Sequence, residues 1–384
     1  MKVAQITTTL RGGAGIAAGR LSEALVEVGV DSTIISQEQR IKGAKLASKT
    51  MTVLQRKLVQ ASPQLITTFS LSTAGMDQLN SYQILHFHPI YNLFNSKSLL
   101  KLAESKKVVM TLHDQRMLTG GCHYSGKCDN YKSGCKDCPQ VHKLFQTSVI
   151  SEKRQIDRLL NHENVSIISP SQWLAQMAED VIGNSKSIKV IRNPIPNGPI
   201  IDSLKARALL KIPTDKFVIG FVSMNLHNEL KGLDDLFASL KKIDGKNLSE
   251  IHLLLVGRGN IKEDSCGVTM TKVDSLAIQN QAYFYTAMDL LVVPSREDNS
   301  PNVIGEALMS GTPVIGSEVG GIQELLNDFS LPHFNTKDHD HFASQLMAQI
   351  SNPSNRRLLA NKAEKEFGYK AIGTKMREFY ASLL

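Results

Sequence analysis

Short apolar runs alternate with amphipathic stretches along most of the 384 residues. The apolar residues at 3–7 predict a strand, and 11–15 (Arg-Gly-Gly-Ala-Gly) a tight loop. Residues 16–28 carry a helical apolar face that Gly29 stops, and Asp31–Ser36 reads as the next strand, completing one βαβ unit. Further strands are predicted at Ile84–Phe87, 108–112 and Val165–Ser169, with helices at 98–105 and from Gln172. The Pro- and Gly-rich stretch 193–199 suits a linker. A second series follows: a strand at 216–223, a helix at 232–243, and a strand at 251–256 that ends in Gly257-Arg258-Gly259. The four apolar residues Leu290–Val293, closed by Pro294, predict a buried parallel strand. Residues 304–310 have helical composition, ended by Gly311 and Pro313, and Val314 and Ile315 form another short strand. Gly320 and Gly321 open a helix, and 367–384 is amphipathic and helical. The order of elements predicts an α/β chain in two Rossmann-like halves, with boundaries at 1–195, 196–366 and 367–384. No internal repeat, coiled coil or low-complexity tract interrupts it.

The net charge of +8 sits in the first half. Residues 1–195 carry 24 Lys and Arg against 14 Asp and Glu, and the remainder 20 against 22. The basic stretch 40–57 mixes Arg40, Lys42, Lys45, Lys49, Arg56 and Lys57 with apolar residues. It suits an anionic bilayer or a lipid-diphosphate, or simply a solvated face. Aromatic interleaving and a binding module are both missing, so nucleic acid is not expected as a partner. No apolar run has transmembrane length, and residues 1–13 lack a signal-peptide pattern, so a cytoplasmic location is expected, peripheral at the inner face of the membrane if the basic half touches lipid.

Two acids and a double glycine gather where strands 290–293 and 314–315 end: Asp298, Glu306 and Gly320-Gly321. Ligands sit at such strand ends in open α/β sheets. A carboxylate can hold vicinal ribose hydroxyls, a second acid can hold hexose hydroxyls, and backbone N–H groups at a helix start suit a diphosphate. The spacing, with Pro294-Ser295, Asp298-Asn299-Ser300-Pro301-Asn302, Gly311-Thr312-Pro313-Val314 and Gly320-Gly321, resembles the acid-x7-acid signature of the retaining GT-B glycosyltransferases, family four. Two departures stand out. The first acid is Asp298 where the family has glutamate, and Asn225 occupies the place of an arginine six residues before Lys231. Arg192 and Arg258 are the cations that could compensate.

The resemblance implies a GT-B fold, two Rossmann-like domains facing each other across a cleft with the last helix crossing back to the first. It implies Glu306 and Asn302 at the donor, Asp298 at the transferred sugar, and Lys231 with the Gly12-Gly13 loop and Gly320-Gly321 at the leaving diphosphate. Lys231 would replace a catalytic metal, so no cofactor is expected for catalysis. His113, in Thr111-Leu112-His113-Asp114, matches the family's active-site His-Asp. His86 and His88 are read as pointing to opposite faces of their strand and as mainly structural, with His88 the candidate for an acceptor contact. Cys122, Cys128, Cys135 and Cys138 follow with spacing C-x5-C-x6-C-x2-C. Structural zinc, a redox-sensitive disulfide pair and free thiols are the readings this spacing leaves, zinc first.

The expected activity is transfer of a sugar from a UDP- or GDP-sugar to a glycan or lipid-linked acceptor with retention, in exopolysaccharide or lipopolysaccharide assembly. The competing readings are a sugar-nucleotide epimerase on the same fold and a non-catalytic sugar-nucleotide-binding subunit. Inverting hydrolysis by a carboxylate pair does not need the Lys-Gly and Gly-Gly elements.

Overall fold

The computed structural model describes residues 1–36, 76–89, 94–183, 186–198, 201–262, 266–274 and 281–384. The basic stretch 40–57 lies outside the described residues. The chain divides into two units. One comprises Met1–Pro194 with Ile372–Leu384, and the other Ile195–Ala371.

The first unit is built on a six-stranded sheet: β1 (Lys2–Thr7), β2 (Asp31–Ser36), β3 (Ile84–Phe87), β4 (Lys107–Thr111), β5 (Val165–Ser169) and β6 (Lys189–Val190), in the order β2-β1-β3-β4-β5-β6. Every pairing is parallel. Parallel strands need crossovers, and helices cover the faces, so β3 is buried throughout, His86 being its one polar residue. The helix Gly13–Glu27 follows the first loop so closely that a Cβ on Gly15 would stand 2.1 Å from the Thr9 carbonyl oxygen. The final helix, Tyr369–Ala381, returns to this unit. Its Ile372, Met376 and Tyr380 are buried with Val3, Leu21, Leu25, Ile84 and Val109.

The second unit repeats the plan with β7 (Phe217–Asn225), β8 (Ile251–Arg258), β9 (Thr269–Val273), β10 (Leu290–Val293), β11 (Val314–Ser317) and β12 (His333–Phe334), ordered β12-β11-β10-β7-β8-β9. These pairings are parallel as well. Apolar clusters fill both faces, one around Leu254, Leu291 and Ile304, the other around Ile219, Leu253 and Phe342. The helix Asn302–Met309 starts directly after Pro301, two residues earlier than the apolar pattern implied, because proline fixes the entry and Asn302 takes the first helical position.

Candidate functional site

In the second unit, several hydrogen bonds gather the predicted residues at the carboxyl ends of β10 and β11. The Ser317 hydroxyl donates to the Ser295 carbonyl (2.5 Å). The Gly321 N–H donates to the Asp298 carbonyl (3.1 Å), and the Arg296 N–H to the Leu230 carbonyl (2.8 Å). These bonds tie the acidic loop to the double-glycine helix start on one side and to Lys231 on the other. The Lys231 ammonium donates to the Asp298 carboxylate at 2.5 Å. The lysine side chain is 33% exposed and the aspartate 9%, so the cation reaches solvent while the acid looks inward. Neighbouring Glu297 is half-buried, whereas Asp298 is buried.

Gly232 turns the chain at Lys231. Its φ is +72°, and a Cβ there would stand 1.9 Å from the Pro294 carbonyl oxygen. Only glycine fits such a close left-handed turn. Lys231-Gly232 is thus locked against the strand end that leads into Asp298. Asn225, where a second cation was expected, is exposed and accepts from the His227 N–H at 3.1 Å. Its ladder partner in the sheet is Arg258. A guanidinium therefore starts one strand away from that position.

Glu306 is buried in the middle of its helix. Its carboxylate accepts from the Tyr285 hydroxyl at 2.5 Å. Tyr285 lies on the helix Gln281–Ala287 and is also buried. Sequence reasoning missed it, because a tyrosine in an apolar helical segment reads as core. Asn302 is half-buried at the start of the Glu306 helix, and Gly320 and Gly321 start the helix Gly320–Asp328.

In the first unit, Gly12 caps the helix Gly13–Glu27 with φ +81°, and the Ile16 N–H donates to its carbonyl at 2.9 Å. His113 follows β4 and is half-buried. Burial holds its imidazole down to about 4, so it is neutral at physiological pH. Asp114 caps the next turn by accepting from the Arg116 N–H at 2.9 Å. Burial pushes its carboxyl up to about 7, against the pull of that N–H.

The reading of His86 and His88 as opposite-facing is corrected by the structure. Residues two apart on a strand share a face, and the two rings stack at 4.4 Å between centroids. His88 Nδ1 meets His113 Nε2 at 2.9 Å. His86 and His88 are both held well below the ordinary imidazole range by burial, His86 to about 3.

The cysteine loop lies beside this strand end. Cys122, Cys135 and Cys138 are buried, Cys128 is half-buried, and all four thiols line one small void with Thr119, Ser125 and Tyr131. Cys135 and Asp137 take left-handed φ values of 57° and 54°. The Gly120 N–H donates to Cys135 Sγ at 3.2 Å. The Cys122 thiol and two backbone N–H groups, of Gln140 and Val141, draw the Cys138 thiol down to about 6. The same hydrogen bond, with burial behind it, pushes Cys122 up. Among the described residues, no three His, Cys, Asp or Glu side chains already stand as a metal ligand set.

Residues 216–352 match the family model described as Glycosyl transferases group 1. WcaC of Escherichia coli K12, named as a colanic acid biosynthesis glycosyl transferase, is 28% identical over 63% of this chain and 62% of its own length. A 41.2 kDa protein of the Klebsiella pneumoniae cps region is 22% identical over 85% of this chain and 84% of that protein. The sulfoquinovosyl transferase SQD2 of Arabidopsis thaliana is 25% identical, but the match spans only 31% of its length. The matches thus cover less than two thirds of WcaC and of SQD2. Among solved structures, sucrose-phosphate synthase of Thermosynechococcus elongatus superposes with a TM-score of 0.67 at 17% identity, covering 100% of this chain and 98% of that one. HepE of Anabaena, in complex with UDP and glucose, gives 0.63 at 17% identity and full coverage of both chains.

Proposed function

Over 216–352 the chain belongs to the glycosyl transferases group 1 family, its fold is GT-B, and on that premise we propose that it transfers a sugar from a nucleotide-diphosphate donor to a hydroxyl of a glycan or lipid-linked glycan, with retention. The observation that carries this reading is the joined set Lys231, Asp298 and Gly321, with buried Glu306 on the helix that follows the Asp298 loop. A cation that reaches solvent, an inward acid and a helix start together suit a diphosphate bearing a sugar. HepE is described with UDP and with UDP-glucose, which supports a nucleotide-sugar donor here.

In the proposed reaction the bond from the anomeric carbon to the diphosphate oxygen breaks as the acceptor oxygen approaches the same face. The acceptor's proton passes to the departing diphosphate, and no protein nucleophile takes part. Lys231 and the start of the helix Gly320–Asp328 stabilise the developing negative charge without a metal. Glu306 and Asn302 hold the nucleoside, with Glu306 exchanging its Tyr285 hydroxyl partner for ribose hydroxyls. Asp298 orders the sugar. The likeness to WcaC, named for colanic acid biosynthesis, supports a place in exopolysaccharide assembly. No helix among the described residues is long and apolar enough to cross a bilayer.

The first test is a thermal-shift panel of UDP- and GDP-sugars with and without magnesium. A ligand at a hundred times its Kd adds about 2.7 kcal/mol to stability. One nucleotide class should raise the melting temperature, with no need of magnesium, and Glu306→Ala should abolish the shift. Silence across the whole panel would refute the donor site.

A further inference from the structure

His113 heads a continuous line of six hydrogen-bonded side chains in the first unit. His113 Nε2 meets His88 Nδ1 at 2.9 Å, and His88 Nε2 meets Gln5 Oε1 at 2.9 Å. Gln5 Nε2 donates to the Tyr380 hydroxyl at 3.0 Å. That hydroxyl meets His86 Nδ1 at 2.5 Å, and His86 Nε2 meets Thr111 Oγ1 at 2.7 Å. Gln5, His86 and Tyr380 have no exposure and His88 5%, so water does not compete for these partners.

Donor and acceptor counting gives the line a direction. An amide carbonyl only accepts, so His88 Nε2 must carry its hydrogen. A neutral His88 then has a bare Nδ1, which can only accept. His113 Nε2 must therefore be the donor, which leaves Nδ1 as the acceptor nitrogen of a neutral His113. At the other end the tyrosine oxygen accepts from the Gln5 amide and spends its own hydrogen on His86 Nδ1. The His86 proton then sits on Nε2 and faces Thr111. Half a turn of the Gln5 amide would reverse every bond and move the His113 proton to Nδ1. Gln5 is thus the one group whose orientation sets the whole line.

We propose that Gln5 and His88 are positioning residues that hold His113 as its Nε2–H tautomer, presenting Nδ1 to accept a hydrogen bond from a substrate hydroxyl, and that Tyr380 on the returning helix fixes the Gln5 amide. The substrate part rests on the glycosyl-transfer reading above; the tautomer part does not. A packed core would need no such order, since three apolar residues could fill the same volume. Second-partner bonds that fix a histidine's tautomer govern what its other nitrogen can do.

The test is nitrogen-15 NMR of the full chain labelled at histidine, which reports the protonation of each ring nitrogen. The wild type should show His113 with a protonated Nε2 and a bare Nδ1 from pH 6 to 8. Averaged signals, or a protonated Nδ1, would overturn the proposal with no variant needed. Gln5→Glu keeps the acceptor for His88 and should retain the His113 tautomer, whereas Gln5→Met removes it and should let the two tautomers mix. Retention in Gln5→Met would also overturn the proposal. With an acceptor in hand, Gln5→Met should lower kcat about tenfold with little change in donor KM, the loss expected for one oriented hydrogen bond. A mixed tautomer with unchanged kcat would confirm the line of bonds and remove His113 from the reaction.

Discussion

Lys231 and Asp298 neutralise one another at 2.5 Å, yet the transfer asks different things of each. The cation should serve the diphosphate and the carboxylate the sugar. Lys231→Met is therefore expected to weaken free nucleotide diphosphate and nucleotide sugar alike, by roughly tenfold or more, one charge-assisted contact being worth about 1.5–3 kcal/mol. Asp298→Asn should spare the free nucleotide and weaken only the sugar nucleotide. Calorimetric titration with both ligands separates the two, and equal losses in both variants would refute the division of roles. Gly232→Ala, which clashes with the Pro294 carbonyl at a left-handed φ, should cost at least about 2 kcal/mol in denaturant unfolding. The buried histidines predict a pH dependence. His86, at about 3, and His113, at about 4, are depressed below the unfolded value, and His88 lies well below it. Such groups contribute stability present above the unfolded pKa of 6.5 and lost as pH falls toward the folded values. Asp114, raised to about 7, works the other way, losing its contribution as pH rises from about 4 to about 7. Three against one, the first unit should weaken from pH 6.5 to 4.5. Urea midpoints across that range check the sign, and a flat or rising profile would contradict it.

The elements carrying the nucleotide-sugar signature were legible because each has a strong local cause. Leu290–Val293 is a strand in the structure as in the pattern, since a four-residue apolar run before proline has few other uses. The double glycine does open a helix. What stayed hidden depends on tertiary partners. Glu306 lies mid-helix and finds Tyr285 from another helix, a pairing no spacing rule contains. The short strand Thr269–Val273 is half exposed at a sheet edge and carries little apolar signal. His86 and His88 were misassigned through the strand's period of two, which puts both on one face. The cysteine loop shows the same limit. Its spacing suggests zinc, and the four sulfurs do share one void with N–H groups aimed at Cys135 and Cys138. We propose that the four thiolates hold a structural zinc ion with bonds of about 2.3 Å. It requires the side chains to close into a ligand set that they do not yet form. Protein purified under reducing conditions should carry about one zinc per chain by elemental analysis, and Cys138→Ser should lose it with a lower melting temperature. Metal-free protein with an intact fold, or a disulfide found by mass analysis, would reject the assignment.

The chain leaves the first unit near Pro194 and returns to it only at Ile372. Its last thirteen residues are therefore as much part of the first core as Val3 or Leu25. Ile372 and Tyr380 are fully buried and Met376 nearly so. At about 1.5–3 kcal/mol for each large buried side chain, removing the three costs about 5–9 kcal/mol, comparable to the whole stability of a domain. Truncation after Ala371 should thus unfold the first unit, or leave it open to proteolysis, while the second unit keeps its own cores. Scanning calorimetry or hydrogen exchange resolves the two: protection should vanish in β1, β3 and β4 and persist in β7, β8 and β10. Tyr380→Phe is the finer cut. It keeps the packing and removes one hydroxyl that both Gln5 and His86 use. Burial already holds that phenol far from ionisation, so its role is to place hydrogens, not charge. The variant should cost only about 1–3 kcal/mol, the penalty of unsatisfied buried partners, yet free the Gln5 amide to turn. A melting temperature close to wild type with a disordered His113 tautomer would tie the last helix to the site by chemistry. The same tautomer as wild type would leave the helix a role in stability alone.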